Sequence, residues 1–340
     1  MSIHLEHIDS PFAWRVDDIK ASDWVFELVD SDLTELETSL AKVRSTKDAE
    51  TIESFELPKL GEKMREAARR LEDERGIALI RGVPVNAYDQ YGEYGELSKV
   101  FWGLALNIGC PEGQDAAGHK LHHVRNVKAA NFSGNSSVRA YETNVTIDFH
   151  SDGSDALMFL CRRKGKSGGV NRLVSAVTAF NDVLDKSPEL ATVLQAPFAF
   201  DARGQREDGA QVQWSPIFTY DRGKLACLYK RGYIHLAQRF NEVPQLTDLQ
   251  KAAMDALDAA FNDPRNAIEV ELEEGDLLMA NNYSIMHARS TFTDFEEEDR
   301  KRHFLRIWLT LMNGRAVPQA YEDTREFFGS YQRKAQLFRK

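Results

Sequence analysis

The stretch Asp148-Phe149-His150-Ser151-Asp152-Gly153 decides how the rest of the chain is read. It closes a short apolar run, Val145–Phe149, that has the length and composition of a β-strand. His150 and Asp152 are two positions apart. At the end of a strand, side chains alternate with a period of two, so the imidazole and the carboxylate share one side. Such a pair supplies two-thirds of the facial triad that holds Fe(II) and leaves coordination positions open. Gly153 would let the chain turn away close to the metal. Taken alone, a His-x-Asp triplet reads more readily as a surface turn.

Outward from this stretch the pattern is one of short apolar runs between turn residues. They are Ala156–Cys161, Arg172–Val177, Pro197–Phe200, Val212–Tyr220, Leu225–Tyr229, Ile268–Leu272, Asp276–Ala280 and Phe304–Met312. Many short strands with Gly and Pro punctuation predict a β-sandwich or jelly roll. Two helices interrupt it, one over Thr178–Asp185 capped by Thr178, and one over Leu246–Phe261 capped by Thr247, with Gln250 completing a capping box. The first hundred residues read as mostly helical. Leu60, Met64, Ala67, Ala68 and Leu71 recur at helical spacing, Ile77–Ile80 is a short buried strand, and Gly95–Leu106 is again helical. The charged, aromatic tail after Pro318 forms a terminal helix. The fold class is therefore mainly β with flanking helices (α+β). It reads as one domain, with a mainly helical portion over about 1–110 and a jelly-roll core over about 138–315.

A third ligand must come from a distant strand. His287 follows the buried run Leu277–Ala280 and the polar loop Asn281–Ser284. A lone His in such a place is more readily a satisfied core histidine. The weighing changes with Lys301-Arg302-His303-Phe304-Leu305-Arg306-Ile307-Trp308-Leu309, an apolar strand that carries two arginines. Arg302 and Arg306 are four apart and share a face, roughly 13 Å apart along the strand. A buried guanidinium is expensive unless an anion meets it, and it binds carboxylates as a bidentate fork. A dicarboxylate such as 2-oxoglutarate could chelate iron through its keto-acid end while its distal carboxylate meets Arg302. Pairing of both arginines with Asp or Glu on neighbouring strands is the plainer alternative. His303 falls on the opposite face and is structural.

In order and spacing these pieces resemble the taurine/2-oxoglutarate dioxygenase (TauD/TfdA-like) family. The likeness runs from about Asn144 to Leu311, and more weakly back to Gly76–Gly82. His150-Ser151-Asp152 looks like the family's first ligand pair. Gly168-Gly169-Val170-Asn171 resembles its glycine-glycine-x-threonine turn, and Gly275-Asp276 through His287-Ala288-Arg289 its distal histidine segment. Arg302 with Arg306 matches its arginine pair. The resemblance implies a double-stranded β-helix (jelly roll) and an oxidoreductase using Fe(II), with 2-oxoglutarate and O2 as co-substrates. Its metal ligands would be His150, Asp152 and His287. By the same resemblance Arg302 anchors the distal carboxylate of 2-oxoglutarate, and Arg306 lies near its proximal carboxylate or the substrate. Asn171 stands where the family has threonine, and its amide can donate the same hydrogen bond; Ser175 is the second candidate. The implied reaction is oxidative decarboxylation to succinate and CO2 coupled to substrate oxidation. A carboxylate at Asp152 favours hydroxylation, desaturation or cyclisation over halogenation, because related halogenases carry a small residue there.

Polar residues around the motifs are the candidate substrate contacts: Asn144, Ser154, Asp155, Arg289 and Tyr233. They favour a small polar acid such as an amino acid, carboxylate or sulfonate. Formal net charge is −10, from 43 Lys and Arg against 53 Asp and Glu, which disfavours nucleic acid as a partner. The basic run Arg162-Arg163-Lys164-Gly165-Lys166 reads as a solvated turn. No apolar run reaches the roughly 18–20 residues that span a bilayer, so no membrane partner is expected. Cys110, Cys161 and Cys227 are odd in number and form no CxxC, which fits a reducing cytoplasm rather than a disulfide framework or zinc ribbon. The N-terminus shows no signal-peptide pattern. A small-molecule substrate is the expected partner, and a homo-oligomer is left open. Two other classes compete: another metal-dependent hydrolase, and a non-catalytic jelly-roll binding protein.

Overall fold

Period-two alternation in the strand His303–Leu311 sets the layering of the molecule. Leu305, Ile307 and Leu309 turn to one side and join a core with the helices Asp30–Val43, Leu60–Asp73 and Glu96–Leu106. Phe304, Arg306 and Trp308 turn to the other. The computed structural model describes residues 3–88, 95–127, 139–206 and 208–337. The core boundary expected near Val138 lies outside the described residues.

The strands of the two principal sheets are, in chain order, β1 Val25–Glu27, β2 Ile77–Arg81, β3 Gly109–Glu112, β4 Leu121–Arg125, β5 Ile147–His150, β6 Ala156–Arg163, β7 Asn171–Ser175, β8 Ala267–Val270, β9 Leu277–Asn281, β10 Ile285–Arg289 and β11 His303–Leu311. The major sheet runs β1-β2-β9-β6-β11-β3, and β4 also pairs with β11; the minor sheet runs β8-β7-β10-β5. Between the sheets, Leu79, Leu278 and Phe304 of the major sheet share a core with Leu173 and Ile285 of the minor one. Outside the minor sheet, Val174, Met286 and Ala288 pack on the helices Ala176–Lys186 and Asp248–Asn262. The result is a jelly roll with helices on both outer faces, an α+β arrangement.

Most expected strands form within two residues of their predicted ends. Three differences have local causes. The run Arg172–Val177 stops being a strand at Ser175, whose Oγ accepts the backbone N–H of Thr178 (3.0 Å) and caps the helix Ala176–Lys186. Thr178 is thus inside the helix rather than its cap. The run Val212–Tyr220 splits at Ile217 into Val212–Pro216 and Phe218–Asp221, which pair with different strands. The basic run at Arg162 and Arg163 ends strand β6, while Lys164 pairs with Glu271 (2.9 Å) and Glu273 (2.8 Å). The capping box at Thr247 forms as expected: Thr247 Oγ1 accepts from Gln250 N (3.1 Å), and Gln250 Oε1 accepts from Thr247 N (3.0 Å). His303 is structural, with Nε2 2.8 Å from His123 Nδ1 and Nδ1 2.9 Å from Arg162 Nη1. No helix among the described residues is long and apolar enough to cross a membrane.

The C-terminal helix Phe328–Leu337 is tied to the barrel through Asp155, a residue expected to touch substrate. Asp155 is fully buried and accepts hydrogen bonds from Tyr283 Oη (2.9 Å), Leu311 N (2.9 Å) and Lys334 Nζ (2.7 Å). Its oxygens have no capacity left for a ligand. Asp155→Ala should therefore destabilise the fold by about 3–5 kcal/mol, because Lys334 would be left buried and unpaired. Urea denaturation measures this. A loss below about 1 kcal/mol, the range of an exposed pair, would remove Asp155 from the structural framework.

Candidate active site

Strands β5 and β10 run antiparallel, with His150 directly opposite His287. This register brings residues 137 positions apart to a ring-centroid separation of 4.2 Å. His150 Nδ1 lies 2.8 Å from the Asp148 carbonyl, so Nδ1–H donates there and Nε2 is left with its lone pair toward the interior. His150 Nε2 is 3.9 Å from Asp152 Oδ1, and His287 Nε2 is 3.8 Å from Asp152 Oδ2. The three side chains offer ligand atoms all within 4.8 Å of one another. His150, Asp152 and His287 are thus brought together as expected.

The way Asp152 arrives differs from the period-two expectation. Strand β5 ends at His150, and Asp152 sits in the following loop. That loop is clamped by Ser151, whose N–H donates to the Tyr229 carbonyl (3.0 Å) while its Oγ accepts from Tyr229 N (3.1 Å). Glycine is required at 153 by close packing. A Cβ there would lie 2.7 Å from the Trp308 ring and from the Glu326 carbonyl. The left-handed backbone falls one residue later, at Ser154 (φ 62°).

Asp152 Oδ2 accepts from Arg306 Nη1 (3.1 Å) and from Trp308 Nε1 (3.0 Å). Arg306 is itself fixed by Gln114, whose Oε1 accepts from Nε (2.7 Å). Burial alone would raise the Asp152 carboxyl, but Arg306, His287, His150 and Lys230 together hold it well below the usual carboxylate range. Burial, with His150 beside it, lowers the His287 imidazole to about 3, and burial lowers His150 as well. At neutral pH the site is one anion and two neutral imidazoles, the protonation that a divalent cation needs.

These residues line one side of a cavity of about 490 Å3 between the two sheets. At its inner end stand Arg302, Arg289 and Asn171. Arg302 is 3% exposed, lies over Phe304 (3.9 Å to the ring centroid), forms no ion pair with a described carboxylate, and leaves Nη1 without a partner. Asn171 Nδ2 and Arg289 Nε are also buried without partners. Burial lowers the Arg302 guanidinium to about 10; burial and the neighbouring Arg302 lower Arg289 to about 9. The chain reaches this place through Gly168 and Gly169 (φ 74° and 72°), where a Cβ would lie 2.4 Å from the Thr291 carbonyl and 3.1 Å from Arg302 Nε respectively. Two cations and an amide donor are thus all short of acceptors, an arrangement that a carboxylate could satisfy.

The remaining expectations divide. Tyr233 and Arg289 line the cavity, with Arg289 Nη2 donating to the carbonyls of Thr143 (2.9 Å) and Val145 (2.6 Å). Asn144, Ser154, Asp155 and Ser175 do not line it. Asn144 Nδ2 donates to the Phe292 carbonyl (3.3 Å), Ser154 N donates to the Glu326 carbonyl (2.7 Å), and the Ser175 hydroxyl is used as a helix cap and by the Phe12 carbonyl. The side-chain polarity of Asn144, Asp155 and Ser175 serves the fold, and Ser154 is held there through its backbone. Gln114, Trp308, Lys230 and Arg325 line the cavity without having been singled out. Lys230 pairs with the buried Glu326 (2.9 Å). Trp308 was findable, because it lies two residues beyond Arg306 on the same strand face.

A profile of the family described as "Taurine catabolism dioxygenase TauD, TfdA family" matches residues 41–308. FR-33289 synthase of Streptomyces rubellomurinus (strain ATCC 31215) is 28% identical over 275 residues, which cover 79% of each chain. Asparagine oxygenase in complex with Fe(II), 2S,3S-3-hydroxyasparagine and succinate matches with a TM-score of 0.62 at 18% identity, over 84% of this chain and 94% of that one. The non-haem iron oxygenase OrfP in complex with Fe and alpha-ketoglutaric acid matches with a TM-score of 0.58 at 17% identity, over 84% and 94% respectively. At these identities the two structures speak to the fold, and they agree with the jelly roll.

Trp308→Phe keeps the packing against Gly153 and deletes one donor to Asp152. Loss of an orienting hydrogen bond to a metal ligand should weaken Co(II) binding roughly 10- to 100-fold. Calorimetric titration of the folded variant measures it, and an unchanged affinity would mean that the indole does not orient Asp152 for an ion.

Proposed function

The chain belongs to the TauD, TfdA family of dioxygenases, and from that premise we propose that it hydroxylates a small polar substrate, an amino acid, carboxylate or sulfonate, using Fe(II), 2-oxoglutarate and O2. The observation that carries this reading is Arg302. It is a buried guanidinium with an unpartnered Nη1 in the same cavity as the convergent His150, Asp152 and His287. Under a hydrolytic reading such a group needs a separate explanation, whereas a dicarboxylate co-substrate accounts for it directly.

The donor set fits the ion and the pocket fits the co-substrate. Two imidazoles and one carboxylate suit Fe(II) and leave positions free for other ligands. Fe(II), when bound, supplies the redox chemistry that links oxidative decarboxylation of 2-oxoglutarate, to succinate and CO2, with oxidation of a C–H bond. The protein's own contributions follow from the geometry. Arg302 and Asn171 hold the distal carboxylate, which fixes the length of the co-substrate that the site accepts. Phe159 and Phe304 line the inner cavity and exclude water. Arg306 and Trp308 fix the direction of Asp152 rather than meeting the substrate first. The substrate's anionic end meets cations of the same lining, Arg139 together with Lys230 and Arg325, which share Glu326. The similar asparagine oxygenase and OrfP structures hold hydroxylated amino acids, which supports an amino acid among the candidates.

Substrate-stimulated succinate formation with Fe(II) and O2, across a panel of amino acids, sulfonates and aryl acids, tests the assignment. In that assay Arg302→Ala should raise the KM for 2-oxoglutarate roughly 10- to 100-fold, as expected for losing a charged hydrogen bond. Arg302→Lys should fall between the two, since it keeps the charge and loses the fork. An unchanged KM in Arg302→Ala would make the arginine structural.

Asp152→Ala should abolish substrate oxidation even at saturating Fe(II), with Asp152→Glu less damaged because the carboxylate is displaced by one methylene. Near-normal turnover by folded Asp152→Ala would show that this carboxylate is no ligand.

A further inference from the structure

A second arrangement of two histidines and one carboxylate lies apart from the first. The loop between β3 and β4 carries Asp115 and His119, and β4 begins with Leu121 and His122. Both strands pair with β11, β3 with Trp308–Leu311 and β4 with His303–Ile307, so the loop is anchored at both ends. It is closed on itself by Gln114 N–H to the His119 carbonyl (2.8 Å) and Gly118 N–H to the Asp115 carbonyl (3.0 Å).

Within the loop the Asp115 carboxylate has one direction. Its Oδ1 accepts from the backbone N–H of Ala117 (3.0 Å) and of His119 (3.1 Å), which prevents rotation. Its Oδ2 is left facing two imidazoles, 2.9 Å from His119 Nδ1 and 3.2 Å from His122 Nε2. The ligand atoms of the three side chains all lie within 4.8 Å of one another. His122 is 8% exposed and lies against the Tyr141 ring (centroids 5.7 Å apart). His119 is largely exposed, which leaves that side open to solvent. Asp115 also lines the cavity that the proposed substrate would enter.

We propose that Asp115, His119 and His122 form a second divalent-cation site, of the class that takes Zn2+, at the rim of the cavity. Imidazole and carboxylate donors suit zinc among the first-row ions, and three protein ligands leave a fourth position for water or an anionic group. His122 is held between the Asp115 carboxylate and the Tyr141 ring, so its Nε2 stays directed at Asp115 Oδ2. A hydrogen-bonded cluster makes the same contacts without an ion, and the decisive quantity is therefore bound metal.

The test uses the full chain, stripped of metal with a chelator, equilibrated with Zn2+ and washed free of unbound ion, with zinc measured by atomic absorption. The expected result is two zinc ions per chain. His119→Ala, at an exposed position where the fold should survive, should hold one, and His119→Cys should restore the second because a thiolate is also a zinc ligand. His287→Ala should hold one and the double variant none. Retention of the wild-type zinc content by His119→Ala overturns the proposal, as does a wild-type chain whose whole zinc content disappears in His287→Ala. The ion lost in His287→Ala reports the first site and the ion lost in His119→Ala the second, so failure of one assignment is separable from failure of the other.

Discussion

The pairing of Asp152 with Arg306 inside the barrel is the interaction on which the site rests. A carboxylate removed from water is costly unless its charge and lone pairs are met, and breaking such a buried pair typically costs 3–5 kcal/mol. Here the partner comes from the longest strand of the major sheet, so the loop carrying Asp152 is referenced to the most heavily paired element of the fold. The same oxygen also accepts from Trp308, and Gln114 fixes the far side of the guanidinium. Asp152 is thereby ionised, oriented and unable to swing. The two histidines are set independently, by the antiparallel register of β5 against β10 in the minor sheet. The candidate metal centre is therefore a product of sheet-on-sheet packing: the minor sheet supplies the neutral donors and the major sheet fixes the anion.

The opposite end of the cavity is built on the reverse principle. Arg302 and Arg289 are buried with no described carboxylate in ion-pair range; burial lowers the tendency of both to hold a proton, and Arg302 lowers that of Arg289 further. An unneutralised guanidinium is a cost in the empty fold. That cost is recovered when an anion enters, which makes the pocket selective for charge before any shape is considered. The double glycine at 168 and 169 is the steric counterpart, since side chains there would collide with the Thr291 carbonyl and press on Arg302.

Much of this was readable from residue types, and some of it for an incorrect reason. His150 and Asp152 do converge, yet strand periodicity is not why, since the strand stops at His150 and a clamp on Ser151 does the positioning. Arg302 was legible because an arginine beside an apolar strand demands an anion. Asn144, Ser154 and Asp155 were misread because nearness in sequence to a motif says nothing about which way a side chain points once the chain leaves the strand. The Asn144 amide turns to the Phe292 carbonyl and the Asp155 carboxylate to Lys334, while Ser154 is held by its backbone N–H to the Glu326 carbonyl. Gln114, Lys230 and Glu326 carry no local pattern. Gln114 reaches Arg306 across 192 residues and Lys230 reaches Glu326 across 96, and only tertiary packing selects them. Ser175 illustrates the same limit at short range: a strand-to-helix junction can be capped by any nearby hydroxyl, and geometry chose the one three residues before Thr178.

The tie between Asp155 and Lys334 spans 179 residues, and the wall behind Lys230 comes from Glu326. A ribosome makes Glu326 and Lys334 only after every strand of the jelly roll. Throughout synthesis of the jelly roll, a buried acid and a buried amine of the interior wait for counter-charges that have not yet been made. Contacts of such sequence separation also slow folding, because chain closure must precede the interactions that reward it. The wall that Glu326 backs therefore cannot be complete until the chain beyond the last strand has been made.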